Sequence, residues 1–161
     1  MIISGKVIKY GDDINTDVIY PGRYLEITEP KEMAKHAMED LDSNFLEKVK
    51  ERNIIVAGKN FGCGSSREQA ATCLKYAGID AIIAKSFARI FFRNAINAGM
   101  LVIECKEADE INDGDEIEID VENGIIKDSS TGKQLKFKAL PSFLMEIIKA
   151  GGLIPYVRGK I

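Results

Sequence analysis

The stretch "KNFGCGSSREQA", Lys59 to Ala70, sets two glycines, a cysteine, two serines, an arginine and a glutamate between an apolar run and a helical one. Four chemistries use such a mixture: a phosphate cradle, a nucleophile turn, a reactive thiol, or a capped helix start. Spacing removes two of them. No Lys follows Gly64, as a G-x-x-x-x-G-K-[ST] phosphate loop requires, and Arg67 stands where a dinucleotide turn needs its third glycine. Neither Ser65 nor Ser66 is flanked as G-x-S-x-G demands. Cys63 precedes a helix start, which can lower a thiol pKa, although a small residue filling a tight turn is the simpler account.

Ser65 followed three residues later by Glu68 reads as a capping box. Capping leaves the glycines and Arg67 unexplained. Gly62 and Gly64 let the backbone approach a ligand closely, and a helix start presents unpaired N–H groups and a positive dipole end. Arg67 adds a planar fork that matches a carboxylate. The sum is a place for an anion, best filled by a small carboxylate with a hydroxyl poised beside it. Farther on, Arg89, Arg93 and Asn97 recur four apart near Ser86, either as a second anion-facing surface or as a solvated helix face.

Three strands and two helices must position these residues. "NIIVAG" (53–58), "DAIIAKS" (80–86) and "MLVIEC" (100–105) read as strands, with "REQAATCLKYAG" and "FARIFFRNAINAG" as the helices between them. Strand, helix, strand, helix, strand at this spacing implies a parallel α/β core. "KNFGCGSSRE" and "KSFARI" then both follow carboxyl ends of strands, the edge where such sheets bind ligands. Upstream, residues 1–10 read as a strand and residues 11–29 as a long, function-bearing loop. Pro30 is expected to open a helix containing His36. Downstream, Asp113-Gly114, Asn123-Gly124 and Thr131-Gly132 separate short alternating runs, predicting an antiparallel meander. A last helix has the apolar stripe Leu144, Ile147 and Ile148, with Gly151 as its stop.

Length and composition fit one domain over residues 1–161, with no repeat or linker. No window reaches the roughly 18 apolar residues of a membrane span, and the N-terminus lacks the pattern of a cleaved leader. Cys63, Cys73 and Cys105 are widely spaced, which suits reduced thiols in a cytoplasm. The net charge of -3 and dispersed Lys and Arg give no footprint for nucleic acid. A single His, His36, excludes a multi-His metal site and makes a Ser-His-acid triad hard to build; on its helix it reads as a surface or packing residue.

Three spaced blocks, "GDDINTDVIYPGRYL", "NFGCGSSRE" and "AIIAKSFARIFFRNAIN", resemble the small subunits of 3-isopropylmalate dehydratase (isopropylmalate isomerase). That family is similar to the swivelling domain at the C-terminus of aconitase and to the small subunits of homoaconitase and 2,3-dimethylmalate dehydratase. The likeness runs from about Ile2 to the terminal helix; one departure is Gln69, where family members usually carry His after "GSSRE". It implies a swivelling-domain β/β/α architecture, with the parallel βαβαβ core and the small antiparallel meander inside it.

The resemblance also implies an incomplete enzyme. A separate large subunit, in a heterodimer or heterotetramer, would carry a [4Fe-4S] cluster, with no cofactor on this chain and Cys63 not a ligand. Carried over by position, Ser65 would remove the proton alpha to a carboxylate of a small hydroxy-dicarboxylate. Arg67 would bind that carboxylate, with Ser66 lining the turn and Thr16 and Asp17 facing the shared site. A serine needs N–H donors, a helix dipole and a cation to serve as a base, and the sequence supplies candidates for each. Arg23, Tyr24, Leu25, Glu26 and Ile27 fall in the loop that varies with the far end of the substrate. Glu26 would repel the extra carboxylate of homoaconitate, and Ile27 offers apolar surface, so 3-isopropylmalate is expected ahead of dimethylmalate and homoaconitate. The loop is expected to be mobile until the partner docks. Rival readings are a stand-alone carboxylate-binding or scaffold module, and a thiol sensor at Cys63.

Overall fold

The computed structural model describes residues 1–160. Seven strands form one mixed sheet: β1 (Ile2–Lys9), β2 (Ile54–Ala57), β3 (Ala81–Ala84), β4 (Leu101–Glu104), β5 (Glu116–Asp120), β6 (Ile125–Asp128) and β7 (Gln134–Lys136). Their order is β4-β3-β2-β1-β5-β6-β7. β2, β3 and β4 are parallel, joined by the helices α4 (Glu68–Ala77) and α5 (Arg89–Asn97), as the rhythm of the middle third implies. β5 to β7 form the expected antiparallel meander.

β1 joins the two halves. It pairs parallel with β2, placing Ile8 opposite Ile55, and antiparallel with β5, placing Ile3 opposite Ile119. β2 and β3 are buried along their whole length, which is why they read as unbroken apolar runs. Ile55, Ile82 and Val102 lie in one register across the parallel half, and Leu74, Phe91 and Ala95 pack into the same core from the helices. Gly78 ends α4 in the left-handed region at φ 118°, and Lys75 Nζ donates to the carbonyls of Ala98, just past α5, and Gly151, just past the helix Ser142–Lys149.

Several expectations need correction. The helix opened by Pro30 is only α2 (Pro30–Ala34), because Met38 takes φ 60° and turns its amide to the Ile19 carbonyl. His36 therefore lies beyond the helix, stacked on Tyr24 with centroids 3.7 Å apart and its Nδ1 3.2 Å from Glu39. The segment 11–29 is not a bare loop. It holds the short helix α1 (Thr16–Ile19) and a 3-10 turn at Gly22–Tyr24. Ile14, Ile19 and Tyr20 of this segment are buried in the chain's own core. Two short helices carried no clear sequence signal, α3 (Phe45–Lys48) and α7 (Leu153–Arg158). Between them in the chain, α6 (Ser142–Lys149) matches the expected last helix, with Gly151 just past its end at φ 95°. None of the described helices is long and apolar enough to cross a membrane.

Candidate active site

Loops leaving the carboxyl ends of β1, β2 and β3 run side by side, continuing the sheet's neighbour order. Gly58 donates its amide to Gly11, and Lys85 donates to Gly58. Farther out, Asn15 forms a parallel bridge with Cys63, and Phe61 with Phe87. Gly58 is needed because a Cβ there would collide with the Asp12 carboxylate, whose Oδ1 accepts the Lys59 amide at 2.7 Å. Ser86 serves this framework, its Oγ accepting the Asn60 amide.

The glycine–serine turn sits on this ledge. Gly62 and Gly64 take φ 84° and 94°, and a Cβ on Gly62 would enter the ring of Phe91. The backbone stays extended through Arg67, at φ -116° and ψ 114°, so α4 starts at Glu68 with Arg67 as its N-cap and no side-chain capping bond. The Ser65–Glu68 capping box does not form. The two left-handed glycines delay the helix, which puts Ser65 two residues outside the cap. Ser65 and Ser66 are exposed, and neither hydroxyl nor amide of either residue bonds to another protein group among the described residues. Unpaired amides beside a helix start make a positive rim.

That rim borders a cleft of about 360 Å³. Thr16, Gly64, Ser65, Ser66 and Arg67 form one wall, and Ala88, Arg89, Ile90 and Asn94 from the start of α5 form the other. Arg89 thus belongs to the cleft, whereas Arg93 and Asn97 are exposed positions farther along α5 that do not line it. Ile90, 49% exposed, is the apolar wall that sequence reasoning did not single out. Its signal was the placement of "KSFARI" at the sheet's ligand edge.

Arg67 is held in place. Its Nη1 donates to the Tyr20 carbonyl at 3.0 Å and pairs with Asp17 Oδ1 at 2.5 Å. Gly22 leaves room for the guanidinium, since a Cβ there would lie 3.2 Å from Nη2. The Arg67 side chain is only 16% exposed, whereas Asp17 is 63% exposed. Thr16 is 2% exposed, and its hydroxyl donates to the Ser65 carbonyl at 2.7 Å. The structure therefore brings Ser65, Ser66, Arg67, Thr16 and Asp17 together.

The expected selectivity residues lie apart from that cleft. None of Arg23, Tyr24, Leu25, Glu26 and Ile27 lines it. Arg23 is committed within the chain: it makes a two-pronged contact with Asp40 at 2.7 and 2.9 Å and reaches Glu39 at 2.6 Å. The Asp40 contact holds the Arg23 guanidinium protonated, and Arg23 in turn keeps the Asp40 carboxyl below the usual carboxylate range. Tyr24 Oη donates to Glu39, the main cause that lowers the pKa of that carboxyl. Leu25 and Glu26 are exposed and Ile27 is half-buried.

The cysteines do not make a cluster site. Cys73 is buried in the core, where burial pushes its pKa up and its Sγ donates to the Ala70 and Ile19 carbonyls. Cys105 is buried beside the Lys136 carbonyl, likewise pushed up by burial, and Cys63 sits alone in the turn. No three metal-ligating side chains converge among the described residues. This donor set does not fit an iron–sulfur cluster.

The sheet is mixed, with the cleft at the carboxyl-end edge of its parallel half, and the chain belongs to the aconitase C-terminal domain family, whose model matches residues 8–108. The similar proteins narrow this further. A 3-isopropylmalate dehydratase small subunit of Caldicellulosiruptor bescii is 56% identical over 100% of this chain and 98% of that protein. A 3-isopropylmalate dehydratase small subunit 1 of Thermotoga maritima is 56% identical over 98% of this chain and 95% of that protein. The crystal structure of a 3-isopropylmalate dehydratase from Methanocaldococcus jannaschii superposes with a TM-score of 0.94 at 52% identity, covering 99% of this chain and 95% of that one. The family and the α/β fold expected from the three sequence blocks are both borne out.

Proposed function

We propose that this chain is the small subunit of a hydro-lyase that interconverts 2-isopropylmalate and 3-isopropylmalate by dehydration and rehydration, a step of leucine biosynthesis. Its residues 1–161 act as one swivelling domain against a large subunit in the cytoplasm, in a heterodimer or heterotetramer. The large subunit would carry the [4Fe-4S] cluster, as the family resemblance implies.

The observation that carries the reading is an unengaged Ser65 hydroxyl two residues from an anchored Arg67 on one cleft wall. Arg67 spends Nη1 on Tyr20 and Asp17, and its remaining edge takes the carboxylate of the substrate. A carboxylate so held would bring the carbon alpha to it toward Ser65, which lines the same wall. Ser65 takes the alpha proton as the hydroxyl leaves the adjacent carbon as hydroxide with the C–O electron pair, forming the alkene. Hydroxide then adds to the carbon that lost the proton while Ser65 returns its proton to the carbon that lost the hydroxyl. The free amides of Ser65 and Ser66, the N-terminal end of α4 and the Arg67 charge lower the cost of the serine alkoxide.

The sequestration of Arg23 favours an uncharged far end on the substrate. A homoaconitate carboxylate would need a free cation, whereas Arg23 is already neutralised by Asp40 and Glu39. Apolar Ile90 and Ala88 on the facing wall suit an isopropyl group.

Co-expression with a cluster-bearing large subunit and assay on 3-isopropylmalate and homoaconitate tests the reading. Turnover of 3-isopropylmalate in clear preference is expected. A loaded complex that turns over neither substrate would sink it, and a preference for homoaconitate would reassign the substrate.

A further inference from the structure

From Gly62 to Ser66 the backbone makes few bonds, and all of them go to residues 14–16. Gly62 donates its amide to the Ile14 carbonyl, and the Thr16 amide donates to the Cys63 carbonyl, each at 2.8 Å. The Thr16 hydroxyl then reaches two residues farther to the Ser65 carbonyl at 2.7 Å. This is the one bond to Ser65 among the described residues, and it leaves the serine side chain free.

Thr16 itself is 2% exposed and starts α1, whose cap is the Asn15 side chain bonded to the Val18 amide at 3.1 Å. Its hydroxyl proton is committed to a carbonyl, and its methyl is packed. A side chain so placed cannot meet a substrate across the cleft as an equal of Ser65. It can fix where Ser65 stands. Two left-handed glycines flank this turn region, at Gly62 and Gly64, so without a tether the segment has more backbone freedom than most.

We infer that Thr16 is a positioning residue: its hydroxyl pins the Ser65 backbone, so that Oγ is held toward the cleft with no bond of its own. The inference rests on the reading of Ser65 as the base. A misplacement of about 1 Å at a reacting group can cost on the order of 100-fold in rate, so the tether should appear in turnover rather than in binding.

The test compares Thr16→Val, Thr16→Ser and Ser65→Ala in the reconstituted two-subunit enzyme on 3-isopropylmalate. Thr16→Val keeps the shape and removes the donor; kcat should fall by about 100-fold with KM close to the wild-type value. Thr16→Ser restores the donor and should recover most of kcat. Wild-type kcat in Thr16→Val while Ser65→Ala is dead would overturn the inference and leave the base assignment standing. Near-normal turnover in Ser65→Ala would instead overturn the base assignment. A raised KM with unchanged kcat in Thr16→Val would make Thr16 a substrate contact and refute its positioning role. If Thr16→Val does not assemble, Thr16→Ala against Thr16→Ser decides, and equal kcat in those two overturns the inference.

Discussion

Asp17 and Arg67 form an ion pair at 2.5 Å, joining the first turn of α1 to the cap of α4. Because the same Nη1 also serves the Tyr20 carbonyl, the guanidinium has a fixed plane and a free edge. Arg67→Lys keeps the charge but loses the fork, so it cannot hold both anchors and present paired donors. KM for 3-isopropylmalate should rise by about 10- to 100-fold, the range of a lost charge-assisted bond of about 1.5–3 kcal/mol. Steady-state kinetics of the two-subunit enzyme check this; an unchanged KM would remove Arg67 from substrate binding.

Ser65→Ala separates the base from a cap. Since Arg67, not Ser65, stands at the N-cap and the Ser65 hydroxyl bonds nothing, the variant should unfold within about 0.5 kcal/mol of wild type. A true N-cap would cost about 1 kcal/mol. Urea denaturation of the small subunit and turnover of the complex give the two readouts. Normal stability with abolished turnover is expected; a full cap-sized loss would restore the capping box.

Local patterns made much of this legible. Ile54–Ala57, Ala81–Ala84 and Leu101–Glu104 announce buried strands by composition, and the paired turn residues ending in Gly114, Gly124 and Gly132 announce the meander. The dual pairing of β1 was not legible, because it depends on partners some 50 and 115 residues away in the chain. Ser65–Glu68 satisfied a local capping rule that Gly62 and Gly64 override through backbone geometry. The partners of Arg23 could not be read either, since Glu39 and Asp40 come within reach only when Met38 ends the approach of α2.

Gly62→Ala should be strongly destabilising. The positive φ costs about 1–3 kcal/mol for a residue with a Cβ, and the new methyl meets the Phe91 side chain, adding about 1–3 kcal/mol of overpacking. Gly114→Ala has the same sign of φ but nothing within 4 Å of its Cβ, so it should show the backbone part alone. Chemical denaturation of both variants checks the difference; equal losses would mean that Phe91 yields without cost.

Arg23→Gln tests whether the loop arginine holds structure or substrate. Its contacts with Glu39 and Asp40 are solvent-exposed, so the loss of stability should be small. Because Arg23 does not line the cleft, KM for 3-isopropylmalate should stay close to wild type. A large rise in KM would show that Arg23 turns inward in the assembled enzyme.

The meander holds a buried acid pair whose titration should be visible in stability. Asp128 is 2% exposed; its Oδ1 accepts the amides of Ser130 and Thr131, while Oδ2 is buried without a bonding partner. Burial raises its pKa, and the neighbouring Asp115 carboxylate raises it further. Folded protein then keeps a proton that the unfolded chain has already released. The contribution is fully present below the ordinary carboxylate pKa and is lost as pH rises through the raised one, with a slope of at most about 1.4 kcal/mol per pH unit. Asp128→Asn replaces the protonated form with an amide that cannot ionise. The variant should flatten that slope and exceed wild type in stability at the alkaline end. Urea midpoints from about pH 4 to about pH 8 measure it, and parallel curves for the two proteins would show that Asp128 is ionised in the fold.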